Sequence, residues 1–272
     1  MADTLLKNIE KSDFIIIGIG SEWNWVKIGL KNDDRYKEIL EYSQEKGNEW
    51  LLPIIEYEYA YHNSDERIEN AYKELKKLIG DKKYFLISDL FFQDALLNGF
   101  EPEKSVFPCG NCMYLQYDEE DGELFKPQEC PEFTSLVDKI HEIIVSDNGV
   151  LPEDISFSKP TKDGKELYLN QKRKEYKDIK YNEKAYLNYW KMYNSFLTRT
   201  LNKNMLVIEL GVGFEYPSLI RWPFEKMTFL NKKSHFIRVH HKLYQLIHEI
   251  EDKTDSLKMD SVNYIMQESK GL

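Results

Sequence analysis

Cysteine is scarce in this chain, with three among 272 residues. An odd number cannot pair fully, and the opening stretch MADTLLKNIEKSD lacks the apolar core of a secretion signal. A reducing, cytoplasmic setting with free thiols is therefore expected. Long apolar runs are missing too: none approaches the roughly 20 residues that cross a bilayer, so no membrane partner is expected. Basic charge is in deficit, with 37 Lys and Arg against 47 Asp and Glu and a net charge of −10. Such a chain repels phosphate backbones, which argues against nucleic-acid binding. HExxH, GxSxG and Walker A patterns are absent, which removes support for a metallohydrolase, a serine hydrolase or a P-loop NTPase. There is no internal repeat and no low-complexity tract.

What remains is a chain that can build a core. Hydrophobic residues make up 42%, and the aromatics include 18 Tyr, 14 Phe and 5 Trp. The length suits one α/β domain, alone or with a small insertion. Short continuous apolar runs predict buried strands at Phe14 to Ile17, Lys83 to Ser88, Ser105 to Phe107, Asn204 to Leu210 and Ser234 to His240. Another strand is expected at Met113 to Tyr117. Helical spacing predicts helices over Thr4 to Lys11, Arg35 to Gln44, Ser64 to Ile79, Leu90 to Leu97, Phe133 to Val145, Glu183 to Leu201, Lys242 to Asp252 and Asp260 to Ser269. The stretch Ser146 to Tyr181 is polar and is the least ordered-looking. Alternation of strand and helix argues for a mainly parallel, Rossmann-like α/β sheet covered on both faces. On this reading residues 1–104 and 182–272 form the two parts of that domain, and residues 105–181 a small insertion or lid.

Two strand ends carry the chemistry. Phe14 to Ile17 runs into Gly18-Ile19-Gly20-Ser21-Glu22, and Asn204 to Leu210 into Gly211-Val212-Gly213. Glycine lets a backbone approach phosphate without a Cβ in the way, and a following helix N-terminus adds amide donors. In a doubly wound sheet two such turns can meet where the strand order reverses, which is where ligands sit. The alternative is that both turns only relieve crowding between strand and helix. Cys109-Gly110-Asn111-Cys112 is a CxxC, with Cys130 and His141 further on. Zinc prefers a second CxxC pair, and His141 lies among Ile140, Ile143 and Ile144 on a helix, so zinc is not expected and no metal ligands are assigned.

The order of these motifs resembles that of the sirtuin family, in its divergent microbial, macrodomain-linked branch. IIIGIGSE (Ile15 to Glu22) is similar to the family's strand and Gly-Ala-Gly-x-Ser turn. YFLISDLFFQDALLNGF (Tyr84 to Phe100) stands where the family has its Thr-Asn-x-Asp motif and a helix ending in Ala-Gly-Phe. FPCGNCMYLQY (Phe107 to Tyr117) resembles the catalytic loop, with Gly110 and Gln116 kept. LVIELGVGFEYPSLIRWPFE (Leu206 to Glu225) is the nearest match, and FIRVH (Phe236 to His240) resembles the final strand. The departures are specific. Cys109 stands at the position of the catalytic His, Asp89 or Leu90 at that of the motif's Asn, Tyr117 at the first zinc Cys, and His240 at the Asn that contacts adenosine ribose.

The resemblance implies a sirtuin-type fold with a reduced, zinc-free small domain and a dinucleotide ligand, NAD or ADP-ribose. It implies contacts from Gly18, Ile19, Gly20, Ser21, Glu22, Gly110, Gln116, Gly211, Val212, Gly213, Phe214, Arg238 and His240, with Cys109, Asn111 and Asp89 nearest to catalytic duty. It leaves three uses open. One is an NAD-consuming enzyme of altered or impaired efficiency, by deacylation, ADP-ribosyl transfer or NAD hydrolysis, with an acylated or ADP-ribosylated protein as a partner. The second is a catalytically inactive sensor of NAD or ADP-ribose, or an interaction module. The third is an unrelated Rossmann-like protein whose glycine turns are structural only.

Overall fold

A run such as Phe14 to Ile17 has no polar face to show to water, so its strand has to be covered on both sides. In the computed structural model, which describes residues 4–271, this is what happens. The strands are β1 (Phe14–Ile19), β2 (Lys83–Ser88), β3 (Ser105–Val106), β4 (Gly110–Gln116), β5 (Leu124–Phe125), β6 (Thr161–Lys162), β7 (Lys165–Glu166), β8 (Tyr168–Gln171), β9 (Met205–Leu210), β10 (Ser234–Val239) and β11 (Thr254–Leu257). The helices are α1 (Leu5–Lys11), α2 (Trp25–Asn32), α3 (Lys37–Gln44), α4 (Leu52–His62), α5 (Glu66–Ile79), α6 (Asp94–Leu97), α7 (Pro131–Ser146), α8 (Leu187–Arg199), α9 (Arg221–Leu230) and α10 (Ser261–Glu268).

The chain forms two compact units. The first comprises Met1–Asn24, Asp65–Pro108 and Tyr186–Leu272, and the second Trp25–Ser64 and Cys109–Ala185. The first unit holds a six-stranded sheet in the order β11-β10-β9-β1-β2-β3. Every pairing in it is parallel. On one face Phe14, Ile16, Phe85, Ile87, Val207 and Phe236 pack with Tyr193 and Phe196 of α8 and Phe224 of α9. On the other, Tyr84 meets Phe100, which meets Tyr72 of α5. The α/β class with a Rossmann-like parallel sheet is therefore the observed one.

The second unit has an antiparallel sheet, β5-β4-β8, and a β6–β7 hairpin. Its helices are α2, α3, α4 and α7. Gln116 joins its segments: its amide nitrogen donates to Lys180 O at 2.6 Å, and its oxygen accepts from Asn170 Nδ2 at 2.6 Å and Asn182 N at 3.1 Å.

Three expectations need correction. The polar stretch after Ser146 is not merely loop, because it supplies β8, whose four residues are all buried. Leu90 to Leu97 keeps only the single turn of α6; upstream, the Leu90 amide turns back to Ser88 Oγ at 3.2 Å. Lys242 to Asp252 is irregular chain followed by a 3₁₀ segment, His248–Lys253. The cause is tertiary. Arg221 takes the Leu243 carbonyl at 2.8 Å, Arg238 takes that of Gln245 at 2.8 Å, and Ser256 takes that of Tyr244. Those are acceptors an α-helix would need for itself. Strand β11, which carried no strong apolar run, pairs with β10 directly afterwards.

Candidate functional site

The strand order locates a site before any side chain is considered. From β1 the chain builds outward through β2 to β3, and from β9 it builds the opposite way through β10 to β11. The connections leaving β1 and β9 therefore diverge, and in open α/β sheets such a reversal beyond the carboxyl ends of the strands is where ligands sit. Both glycine turns lie there. Gly20 N donates to Leu210 O at 3.0 Å, and Glu22 N to Gly211 O at 3.3 Å. Ser21 Oγ also donates to Gly211 O, at 3.3 Å. A Cβ on Gly20 would lie 2.4 Å from the Val212 Cα, so only glycine allows this backbone contact. Gly211 adopts φ +65°, and a Cβ there would meet Glu22 and Ser261. Around this junction Ser21 and Phe214 are exposed and Gly213 is half-buried.

Glu22 turns its side chain inward. Its carboxylate accepts the main-chain amides of His241 and Ser261, each at 2.8 Å, and touches the His241 ring at Nδ1. Ser261 opens α10, so the carboxylate also caps that helix N-terminus. Burial pushes the Glu22 carboxyl up, but the hydrogen bonds from His241 and Ser261 outweigh it and hold the group below the usual carboxylate range. His240 Nδ1 lies 3.1 Å from Glu22 Oε1. That nitrogen nevertheless accepts the amides of Lys242 and Leu243, so its lone pair is spent and no ion pair forms. Burial pushes the His240 ring below its ordinary value, despite the Glu22 charge beside it.

Asp89 follows β2, where its amide donates to Ile19 O at 3.3 Å at the end of β1. It is buried, and its carboxyl is pushed up to about 7, first by burial and then by the charge of Glu215. A carboxyl titrating near neutrality can give or take a proton under cellular conditions.

The other assigned residues sort by place. Ile19 and Val212 are buried in the sheet core. Gly18 lies within β1, where a Cβ would strike Ile220 and Phe224, so it serves the packing of α9 on the strand. Arg238 is fully buried in β10. It binds Glu209 through two bonds of 2.7 and 3.0 Å and Glu225 at 2.8 Å, which leaves its guanidinium committed within the sheet. Cys109, Gly110, Asn111 and Gln116 belong to the second unit. There Gly110, at φ +98°, allows β4 to approach the Asn170 carbonyl, and Asn111 Oδ1 accepts the Met113 amide at 2.8 Å. Cys109 and Cys130 are buried and Cys112 is half-buried; all three are free thiols.

Sequence reasoning missed Arg221. It donates to Glu209 and to the carbonyls of Val212 and Leu243, and lies under the Phe214 ring at 4.5 Å. It thereby fixes the loops after β9 and β10. It also missed His241 and Ser261. The adjacent pair His240-His241 at a strand end was the visible signal for the former; nothing local marked the latter.

Among solved structures, a mutant Sir2 homologue in its ADP-ribose complex superposes with a TM-score of 0.58 at 12% identity, over 100% of this chain and 96% of the other. A Sir2 homologue in its NAD complex gives 0.57 at 12% identity, over 98% and 92%. The chain has a divergent sirtuin fold. In sequence, this sirtuin-fold protein is 21% identical over 279 residues to a protein ADP-ribosyltransferase of Staphylococcus aureus (strain Mu50), covering 95% of this chain and 84% of that one. No family model matches it.

Proposed function

We propose that this protein binds NAD or ADP-ribose beyond the carboxyl ends of β1 and β9, and that it transfers ADP-ribosyl groups with Asp89 as the acid–base group. The observation that carries this reading is the meeting of the two glycine turns at the reversal of strand order. Ser21, Gly213 and Phe214 would hold the dinucleotide, on main-chain atoms more than on basic side chains. The nearby carboxylates do not forbid a diphosphate: Glu22 is already bound by two amides, and Asp89 is about half protonated at neutrality. Bound NAD would supply a labile bond between ribose and nicotinamide. The protein's part is to orient the ligand, exclude water and manage the acceptor's proton at the Asp89 carboxyl. The similarity to an ADP-ribosyltransferase favours this chemistry over deacylation.

A second reading, a sensor without turnover, is favoured by one observation. Cys109 and Asn111, at the catalytic-loop positions, are both buried. Titration with NAD and with ADP-ribose, read by melting temperature, tests the shared premise, because a ligand at 100 times its Kd adds about 2.7 kcal/mol. No shift with either compound would sink both readings. Release of nicotinamide from NAD separates them, being present for the transferase and absent for the sensor.

A further inference from the structure

We propose that Glu58, His62 and His141, in the second unit, form a binding site for one divalent transition-metal ion, zinc by the chemistry of the donors. Glu58 and His62 stand four residues apart on α4 and so share one face of that helix. His141 comes from the middle of α7. One ligand atom from each residue lies within 4.8 Å of the other two. His141 Nδ1 is 2.8 Å from Glu58 Oε1, and the His62 and His141 rings stack with centroids 3.6 Å apart. A tetrahedral zinc with bonds near 2.0–2.1 Å spaces its ligand atoms by about 3.3 Å, so a small opening of this cluster accommodates the ion.

Charge balance points the same way. Glu58 is fully buried, yet among the described residues its only ion-pair partner is His141. Two positions earlier Glu56 is held by Arg173 at 2.7 Å, so the second unit does supply arginine where a carboxylate is only to be neutralised. Buried charges are paired or coordinate metals. The arrangement around Glu58 is that of a ligand being positioned. Tyr36 OH donates to Glu58 Oε2 at 2.8 Å and leaves Oε1 facing the histidines, as outer partners of metal ligands do. Tyr57 of α4 packs edge-on against Phe133 of α7, with centroids 5.1 Å apart, which fixes the two helices near the site. Two imidazoles and one carboxylate select zinc and its neighbours over calcium or magnesium, and leave a fourth position to water. His62 is exposed, so the ion has an entry path and the ring has room to turn onto it. None of the three cysteines takes part.

The test uses the full chain, stripped with a chelator and titrated with Zn²⁺ by calorimetry and with Co²⁺ by visible absorption. One ion per chain and a rise in melting temperature are expected. Tyr36→Phe should weaken binding by about 10–100-fold, the usual effect of losing an outer partner, and His62→Ala by more than that. Because His62 is exposed, His62→Ala should keep the unliganded melting temperature, which separates lost binding from lost folding. Cys112→Ser should bind as the wild type does. The proposal is overturned if the wild type takes up no stoichiometric zinc, if His62→Ala binds undiminished, or if Cys112→Ser abolishes uptake.

Discussion

Each unit of this protein contains a glutamate beside two histidines, and the two clusters use the same residue types differently. In the first unit Glu22 accepts two main-chain amides, and His240 has spent its Nδ1 on two more. In the second, Glu58 has a tyrosine hydroxyl and an imidazole, with a second imidazole stacked on the first. Donors that belong to the backbone cannot leave without unfolding a loop, so the first cluster is a fixed part of the fold. Donors that belong to side chains can exchange a proton for a metal. Residue identity therefore does not define a site; what matters is which partners are free to be replaced.

The sharpest way to break this comparison is Glu22→Ala. It would leave two amides without an acceptor, and at about 1–3 kcal/mol for each orphaned group the loss should reach about 2–6 kcal/mol in denaturant unfolding. A loss below 1 kcal/mol would mean the carboxylate does not hold the loop after β10 to α10.

Asp89 offers a third case, a buried carboxyl held high. Its pKa is about 7 in the folded protein, against 3.8 for an ordinary aspartate in water. The folded state thus keeps a proton that the unfolded state has released, and stability falls as pH rises from about 4 to about 7. Asp89→Asn removes that penalty. It should match the wild type at pH 4 and exceed it by about 4 kcal/mol at pH 8, on the scale of 1.36 kcal/mol per pKa unit. Loss of nicotinamide release in the same variant would tie the stored cost to function. Equal stability of both proteins at pH 8 would remove Asp89 from the acid–base role.

Smaller effects sharpen the contrast at the glycine turns. Gly20→Ala drives a Cβ into the Val212 backbone and should cost about 1–3 kcal/mol, as overpacking does. Glu58→Gln keeps a hydrogen-bonding shape and, without metal, should cost about 1 kcal/mol or less. At Gly213 a Cβ would come no nearer than 3.3 Å to the movable Ser21 Oγ. Gly213→Val should therefore stay within about 0.5 kcal/mol in unliganded stability while abolishing the melting shift produced by NAD. A retained shift would place the dinucleotide elsewhere.

Much of the frame was legible beforehand. Continuous apolar runs gave β1, β2, β9 and β10, because a strand buried on both faces has no choice but to be apolar. The amphipathic patterns of α5 and α7 were equally plain, and Gly80 closes α5 at φ +55°. Helix α4 escaped notice because its apolar residues are spread around it, and Glu56 and Glu58 are both buried. Polar residues at β8 hid a buried strand, whose Asn170 and Gln171 donate their side-chain amides to Gln116 Oε1 and Cys112 Sγ of β4.

The sequence alone determined the apolar strands β1, β2, β9 and β10 and which of their turns lack side chains, because apolar runs and missing side chains are local properties. Only the tertiary structure decided which charged groups meet. Glu22 and His241 lie 219 residues apart, and Glu58 and His141 lie 83 apart. No spacing rule spans such separations. Whether a carboxylate there becomes a helix cap, a poised acid or a ligand depends on the partners that folding brings to it.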